Sequence, residues 1–340
     1  MTARAIRGHE AALELLERAL ALDRVAHAYA FVGPSGIGRK LTALAFAQAL
    51  LCRSRSRGEA GEAPRPRPLG GCGSCSPCRR VQAGTHPDCH LVLPDGQTIR
   101  IEQIRELERW ASLRPREGPQ KIFIVDEAER MPPVSANALL KTLEEPPDRT
   151  VLILILSQAK ALPPTVLSRC QLVRFAPLPL ADAVAVLGEH GVEEATARSL
   201  AAACQGRVGL ALGQAPHAWR ERRDNAVALL SKVSAEGGET LFDSVEALGR
   251  DRAQAAELIE ALLLWHRDLL CAKAASDPRL LISGDRQAEL SLAAGATSWE
   301  AILEALVACR EAWHALQGNV SPRLTLEVLL SRLALGAASG

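Results

Sequence analysis

The sequence predicts an α/β domain, a parallel sheet with helices on both faces, followed by two regions that are entirely helical. Apolar runs of strand length alternate with amphipathic helical segments through the first half of the chain. Beyond residue 176 no convincing strand remains, and the pattern is helical. The apolar residues are mostly Ala and Leu, and aromatic residues make up only 3% of the chain, which favours a largely helical protein. We therefore expect domains at residues 1–176, 177–214 and 215–340.

The composition argues against several classes of protein. Lys and Arg number 40 and Asp and Glu 39, for a net charge of +1, so any contact with nucleic acid must be local. The N-terminal stretch carries charges where a signal peptide needs an apolar core, and no apolar run approaches the roughly 20 residues of a membrane-spanning helix. We expect a cytoplasmic protein without membrane contact, whose nine cysteines serve metal binding or burial rather than disulfides.

A phosphate-binding loop is predicted near the N-terminus, after a surface helix from Glu10 to Leu22. A short strand, His27 to Val32, runs into a glycine-rich loop, and a long helix follows from Ala43 to Leu51. This is the context that a phosphate-binding loop requires, because glycines let backbone N–H groups point inward and the helix dipole favours an anion. The glycines have the spacing of that motif and are Gly33, Gly36 and Gly38.

The two residues after the last glycine depart from the motif. Phosphate-binding loops place Lys and then Ser or Thr there, whereas this chain has Arg39 and Lys40. The guanidinium of Arg39 is not interchangeable with an ammonium, and Lys40 puts a second cation where a hydroxyl binds Mg²⁺. The pattern predicts a loop that keeps the shape of a nucleotide site without its catalytic groups. Two alternatives stay open: Lys40 takes over the role of the missing Lys, or the loop is a glycine turn unrelated to nucleotides.

A metal site is predicted around three cysteines that follow a polar, flexible insertion at residues 53–71. Two residues separate Cys72 from Cys75 and Cys75 from Cys78, a spacing that places the three thiolates on one tight turn. A fourth ligand would complete a tetrahedron around Zn²⁺. We select Cys52 as the fourth ligand because the stretch between it and Cys72 has the composition of a flexible loop. Such a loop can bring its two ends, Cys52 and Cys72, close together.

Other ligand sets compete with this zinc knuckle at residues 52–78. An iron–sulfur cluster is disfavoured because no fourth cysteine follows the third closely. No open position or general base is evident, so the zinc should be structural. The competing candidates for the fourth ligand are His86, Cys89 and His90.

An acidic pair ends the next buried strand. The apolar run Ile122 to Val125 is followed by Asp126 and Glu127, at the strand end where open α/β sheets bind their ligands. In phosphate-binding sites of this kind the first acid holds Mg²⁺ and the second polarises a water, although a solvated strand end is the structural alternative. A second buried strand, Val151 to Leu156, ends at Ser157.

Two more features complete the predicted domain. Ser135 is expected to cap a helix that buries a leucine face and stops at a pair of prolines. Arg169 lies between Ser168 and Cys170, directly before another strand, Leu172 to Phe175. A strand from Cys89 to Leu93 and an amphipathic helix from Ile101 to Leu113 stand earlier in the chain.

Together these motifs resemble the AAA+ clamp-loader family of bacterial DNA polymerase III. The resemblance spans nearly the whole chain and is carried by the cysteine knuckle and by the segments HAYAFVGPSGIG, IFIVDEAERM, SANALLKTLEEPP, LSRC and SPRLTLEVLLSRL. It implies a P-loop-type AAA+ domain, then a small helical lid and an all-α collar domain that holds a five-subunit ring together.

Within this family, the departures from the motif resemble the stationary subunit more than the motor subunits. The altered phosphate loop is one departure, and the run Thr85 to Asp88 with the segment CHLVLPDGQTIRIEQIREL is another. The segment Gly206 to Leu212 lacks the arginine that motor subunits carry as a second nucleotide sensor, and Arg207 lies too early to match it.

The resemblance implies a role for each site residue. Arg169 is expected to be catalytic in trans, as an arginine finger on the ATP of the neighbouring subunit, worth about 10³–10⁵ in rate in related systems. Asp126 and Glu127 match the family's Mg²⁺-binding and water-polarising acids, and Ser157 matches its first sensor. With the loop altered, we expect only a vestigial nucleotide site, formed by Gly33, Gly36, Gly38, Arg39, Lys40, Asp126, Glu127 and Ser157.

The expected function is therefore support of ATP-dependent loading of the sliding clamp onto primed DNA. The implied partners are the gamma or tau motor subunits and the delta subunit, with the clamp and primer–template DNA reached through the complex. Zn²⁺ would be this chain's own structural ion, whereas ATP and Mg²⁺ would belong to the neighbour. Two other hypotheses remain: a motor ATPase that uses Lys40 with the acidic pair, and a zinc-dependent nucleic-acid module with the insertion, Arg79 and Arg80 as contacts.

Overall fold

The fold divides into two compact units. The first comprises Met1–Val186 with Gln205–Leu210, and the second comprises Leu187–Cys204 with Ala211–Gly340. The predicted division into three domains stays a prediction. The structure is a computed structural model that describes residues 6–53, 68–212, 216–236, 238–275, 277, 280–318 and 320–338. Most of the predicted insertion, residues 54–67, lies outside this described part of the chain.

A five-stranded parallel sheet forms the centre of the first unit. The strand order is β2-β3-β4-β1-β5, and every neighbouring pair is parallel, with Ala30 of β1 opposite Leu154 of β4, for example. The predicted parallel sheet is thus confirmed. The strands are β1 (Ala28–Val32), β2 (Cys89–Val92), β3 (Lys121–Val125), β4 (Thr150–Leu156) and β5 (Gln171–Arg174).

The sheet is buried on both faces, which is why its strands are continuous apolar runs. Every residue of β3 and β4 is buried. Tyr29 and Phe31 of β1 pack into one apolar cluster with Phe46, whereas Ala28 and Ala30 pack into the other cluster with Leu139. The six helices that contribute to these faces and their connections are α1 (Glu10–Ala21), α2 (Arg39–Leu51), α3 (Ser76–Gln82), α4 (Ile101–Ser112), α5 (Pro133–Glu144) and α6 (Pro164–Leu167).

The predicted cap of α5 is wrong. This helix begins at Pro133, after Pro132 in extended conformation, and Ser135 lies inside its first turn. Proline at the first helical position needs no N–H partner and has the φ angle of a helix, so the proline pair sets the start. The buried Ser135 hydroxyl instead donates a hydrogen bond of 3.0 Å to the carbonyl of Ile99.

The rest of the chain is helical, as predicted. Within the described residues nine α-helices follow β5, and the first three of them are short. Ile259 and Leu262 of the long helix α12 form an apolar core with Leu326 and Leu330 of α15. The helices are α7 (Leu180–Glu189), α8 (Glu194–Ala203), α9 (Val208–Leu212), α10 (Pro216–Glu236), α11 (Gly238–Leu248), α12 (Arg252–Ala274), α13 (Gln287–Ala296), α14 (Trp299–Gln317) and α15 (Pro322–Ala338).

Among the helices of the described residues, no single one is both long and apolar enough to cross a bilayer. One pair, Gly284–Ala296 with Trp299–Leu316, meets the length and composition criteria together, with a bend of 113° between its halves.

Candidate functional site

The glycine loop connects β1 directly to α2, which begins at Arg39, one turn earlier than the sequence suggested. Gly36 and Gly38 have φ angles of 79° and 99°, a region that side-chain-bearing residues rarely adopt. A Cβ atom at Gly36 would also lie 2.8 Å from Cγ of Leu210. The loop therefore needs glycine at position 36 for two separate reasons, its backbone conformation and the close approach of Leu210.

Two other segments of the first unit hold this loop. The N–H of Gly209 donates to the carbonyl of Gly36 over 2.6 Å. The Nε2 atom of His9 lies 2.8 Å from the carbonyl oxygen of Ile37, and the His9 ring packs edge-on against Phe175. The carbonyls of the loop are thereby fastened both to the N-terminal segment and to residues 205–210.

Lys40 contacts the acid that follows β3. Its Nζ lies 3.2 Å from Oδ2 of Asp126, in an ion pair whose carboxylate is only 16% exposed. The proposal that Lys40 replaces the missing lysine of the motif would need this ammonium at a phosphate instead. The position that holds a Mg²⁺-binding hydroxyl in the motif is thus occupied by an ammonium that contacts the acid expected to hold Mg²⁺.

Glu127 is also engaged. It has a left-handed backbone conformation, with a φ angle of 50°, and its Oε2 lies 2.6 Å from Nε of Arg130. The structure therefore gives Glu127 an ion-pair partner at the place where the family has a water-polarising acid.

Arg39 is the most buried cation at this site. Its side chain is 9% exposed, and its Nη1 atom has no hydrogen-bond partner among the described residues. Burial lowers the pKa of Arg39, and the charges of Glu129, Asp126 and Glu127 act in the opposite direction. The guanidinium nevertheless keeps its charge, because arginine is not deprotonated in proteins.

Glu129 is a site residue that the sequence analysis missed. Its Oε1 accepts a hydrogen bond of 3.1 Å from the backbone N–H of Ser157, the predicted sensor position. Its Oε2 is buried without a hydrogen-bond partner in the described part of the chain. Glu129 follows the acidic pair by two residues, so its proximity to the strand end was the available signal.

These residues do not fit a magnesium–nucleotide complex. Mg²⁺ requires oxygen ligands in octahedral geometry, and the cation next to Asp126 is already the ammonium of Lys40. Lys40 and Asp126, both predicted for the vestigial site, do lie together in space. They contact each other rather than a nucleotide.

Arg169 lies on the surface at a different place, between α6 and β5. Its Nη1 donates to the carbonyl of Thr165 over 2.8 Å, and its Nη2 lies 2.7 Å from Oε1 of Glu144 at the end of α5. The side chains of Arg169 and Glu144 are 36% and 51% exposed, so solvent screens the pair. The guanidinium is thus orientated by the chain yet remains accessible.

A second site brings together four thiols. The sulfur atoms of Cys52, Cys72, Cys75 and Cys78 all lie within 4.8 Å of one another, so the group could hold a metal ion. Cys52 and Cys75, for example, have their Sγ atoms 3.9 Å apart. Zinc–sulfur bonds of about 2.3 Å in a tetrahedron place sulfur atoms about 3.8 Å apart, so these thiols match that geometry.

The surroundings of the thiols suit thiolate ligands. The N–H groups of Cys72 and Cys75 point at the sulfurs of Cys52 and Cys72, at 3.4 and 3.3 Å. Such N–H contacts orient and stabilise thiolates bound to a metal. Burial, together with hydrogen bonding to Cys75, raises the pKa of the Cys78 thiol, so a bound cation is what would keep this sulfur ionised at neutral pH.

The competing ligands lie outside this group. His90 is stacked between the rings of Trp110 and Phe123, and Cys89 is part of β2. Nδ1 of His86 accepts the N–H of Asp88 over 3.1 Å. Among the described residues, the four cysteines are the one group of His, Cys, Asp or Glu side chains close enough together to hold a metal ion.

Comparison with known proteins gives a consistent family. A family model described as "DNA polymerase III, delta subunit" matches residues 8–179. Subunit delta' of DNA polymerase III from Bacillus subtilis is 30% identical over 327 residues, which cover 95% of each chain. The delta' subunit from Pseudomonas aeruginosa is 41% identical over 160 residues, 46% of this chain and 45% of that one.

A tau subunit and a solved structure also match the chain. Subunit tau of DNA polymerase III from Bacillus subtilis is 28% identical over 294 residues, which cover 79% of this chain and 50% of tau. Among solved structures, a DNA polymerase III gamma subunit-related protein from Thermotoga maritima matches 96% of this chain and 99% of its own. That match has 16% identity and a TM-score of 0.39.

Proposed function

The chain belongs to the delta prime family of DNA polymerase III clamp-loader subunits, and we propose that it lends Arg169 to the ATP site of a neighbouring subunit while hydrolysing no ATP itself. In this role it is the stationary member of a cytoplasmic five-subunit ring with delta and the gamma or tau motors. That ring would load the sliding clamp onto primed DNA.

The observation that carries the proposal is the presentation of Arg169. An arginine finger must reach a phosphate on another chain, so its guanidinium has to be accessible and held by contacts that are easily exchanged. Arg169 meets both requirements, because its partners are an exposed carboxylate and one backbone carbonyl. An exposed pair of this kind contributes only about 0–1 kcal/mol, so a triphosphate can displace Glu144 at little cost.

The chain's own nucleotide-type site supports the second half of the proposal. Hydrolysis needs a metal ion and a group that orients water. Here Asp126 is paired with Lys40 and Glu127 with Arg130. The alternative of a motor ATPase that uses Lys40 with the acidic pair would require both ion pairs to open.

We further propose that the four-cysteine site holds structural Zn²⁺. The bound ion would link Cys52, at the end of α2, to the knuckle before and within α3. Because a structural site's binding energy is folding energy, the zinc would stabilise the first unit without taking part in the reaction.

Assembly would use the second unit. Three large apolar side chains on α14 lie at helical spacing on one face and are 41–49% exposed: Trp299, Leu303 and Val307. Leu324 and Val328 of α15 are also half exposed. An apolar stripe of this kind suits a helix-to-helix contact in a collar, and we propose that it binds a neighbouring subunit.

Replacement of Arg169 in the assembled complex tests the proposal. Arg169→Ala should leave the complex assembled and should slow hydrolysis at the neighbour's ATP site by about 10³-fold or more. Arg174→Ala, which removes an exposed arginine from β5, is the matched control and should leave the rate unchanged. Single-turnover kinetics measures the rate of ATP hydrolysis by the complex, and gel filtration measures its assembly. An unchanged rate in Arg169→Ala would remove the trans role.

A further inference from the structure

We propose that the nucleotide-type site of this chain is closed by its own charged side chains, with the ammonium of Lys40 held where a divalent cation would bind. This inference rests on the proposed function and deepens it, since it states what replaces the metal and the nucleotide. The side chains of the site then connect elements of the first unit to one another and leave no place for a ligand.

Charge balance is the first argument. Three cations face three acids at the end of β3: Arg39, Lys40 and Arg130 with Asp126, Glu127 and Glu129. Two of these cations form ion pairs, at 3.2 Å and 2.6 Å, and the third is close enough for its pKa to respond to the charges of all three acids. The acids are therefore neutralised without any ligand.

A magnesium ion would disturb this balance. It would have to bind Asp126 beside the Lys40 ammonium, and like charges that share one carboxylate repel each other strongly at a partly buried site. A triphosphate without magnesium would have to compete with the three acids for the cations that already neutralise them. Each component of a magnesium–nucleotide complex is thus opposed by a group that the chain already holds in place.

The charges of Arg39 and Glu129 are a further argument for a closed site. Both have a buried polar atom without a hydrogen-bond partner among the described residues, Nη1 of Arg39 and Oε2 of Glu129. Glu129 supplies the strongest of the attractive charges on Arg39. In the motif, the residue at position 39 binds a phosphate, whereas here carboxylates of the same chain compensate the charge of Arg39.

The closed site connects four parts of the first unit. Lys40 joins α2 to the end of β3, and Glu129 joins the segment after β3 to Ser157 at the end of β4. The Gly36 carbonyl, 2.6 Å from the N–H of Gly209, attaches the loop to residues 205–210. A bound nucleotide stabilises the folded state by contacts of this kind, and the side chains supply them without it.

Restoration of the motif tests the inference. The full-length double variant Arg39→Lys with Lys40→Thr puts a lysine and a hydroxyl at the motif positions and releases Asp126. We expect it to bind ADP at least tenfold more tightly than the unaltered chain, only when Mg²⁺ is present, as measured by titration calorimetry with ADP, with and without EDTA. Lys232→Thr removes an ammonium that lies 3.8 Å from Glu236 on α10, and this control should not bind ADP.

Two results would overturn the inference. One is magnesium-dependent ADP binding by the unaltered chain at the affinity of the double variant. The other is a folded double variant, with the circular dichroism spectrum and elution volume of the unaltered chain, that still binds no ADP. Both results concern the lone polypeptide, so they are independent of whether Arg169→Ala slows the complex.

A double-mutant cycle keeps the inference testable if the double variant does not fold. Lys40→Ala and Asp126→Asn are compared singly and together by urea unfolding of the metal-replete chain. We expect a coupling of about fivefold or more in the unfolding equilibrium constant, because the pair is partly buried. Additive effects of the two substitutions would contradict a closed site that depends on this pair.

Discussion

Arg169 and Glu144 form an ion pair at the surface of the first unit, with 2.7 Å between Nη2 and Oε1. Glu144 ends α5 and Arg169 follows α6, so two separate helices meet at this guanidinium. The pair gives the side chain a defined orientation before any partner binds. Because both side chains are exposed to solvent, the ion pair is weak.

Neutralising Glu144 should have a small effect. In Glu144→Gln the amide cannot form an ion pair, but the carbonyl of Thr165 still accepts from Arg169. We expect the free energy of unfolding to fall by no more than about 1 kcal/mol, and the complex to hydrolyse ATP within about tenfold of its normal rate. Chemical denaturation and single-turnover hydrolysis check these values. A loss as large as that of Arg169→Ala would show that Glu144 is required to position the finger.

Loss of one thiol should release the metal. Cys75→Ser removes a ligand from the four-cysteine group and is expected to abolish stoichiometric zinc and to lower the free energy of unfolding by several kcal/mol. Cys89→Ser is the matched control, because Cys89 competes as a ligand in the sequence but lies outside the group in space. Metal analysis of the purified variants distinguishes them. Zinc retained by Cys75→Ser, or lost by Cys89→Ser, would contradict the assignment.

Gly71 offers a more local test of the cluster. Its φ angle is 63°, and a Cβ atom there would lie 2.8 Å from Sγ of Cys78 and 3.0 Å from Cβ of Cys52. Gly84 has a similar φ of 68° with open space around it. Gly84→Ala should therefore cost only the backbone strain, about 1 kcal/mol, whereas Gly71→Ala should cost about 3 kcal/mol and weaken metal binding. Equal effects on unfolding would show that the thiols do not crowd this position.

Asp88 should make stability depend on acidic pH. Burial alone would raise the pKa of its carboxyl, but hydrogen bonds from the N–H groups of Arg116, Gly118 and Glu117 outweigh burial and hold it below its ordinary value. A lowered pKa in the folded state stabilises the protein at neutral pH, and this contribution is lost as the pH falls below about 4.

The amide variant isolates that contribution. Asp88→Asn should be less stable at pH 7 and should show a shallower loss of stability between neutral and acidic pH than the unaltered chain. Asp95→Asn, at a carboxylate that is 58% exposed, should leave the pH profile nearly unchanged. Urea unfolding at a series of pH values measures both. Parallel profiles for the unaltered chain and Asp88→Asn would refute the prediction.

The sequence was most informative where one local pattern determines the structure. Buried strands such as β4 are continuous apolar runs, and a strand that is buried on both faces has no other pattern available. The cysteine knuckle was equally clear, and the choice of Cys52 followed from the polar stretch that separates it from Cys72. In both cases the physical constraint acts over few residues.

The charges of the nucleotide-type site were harder to predict. The sequence placed Lys40 and Asp126 in the same site, but their pairing depends on side-chain directions 86 positions apart, which no spacing rule gives. Glu129 was missed because a buried carboxylate there becomes visible only once the N–H of Ser157 lies against it. The cap of α5 failed for a simpler reason: a proline pair competes with serine for the start of a helix, and the proline pair prevailed.

The contact between Cys72 N and Cys52 Sγ, at 3.4 Å, brings two residues that are 20 positions apart to one point of the first unit. The number of residues between these two cysteines can then change without shifting the helix that carries Lys40. This makes the stretch a natural place to graft an affinity tag or a fluorescent label. A probe inserted there would report on the protein while leaving the contacts of Lys40 and Arg169 intact.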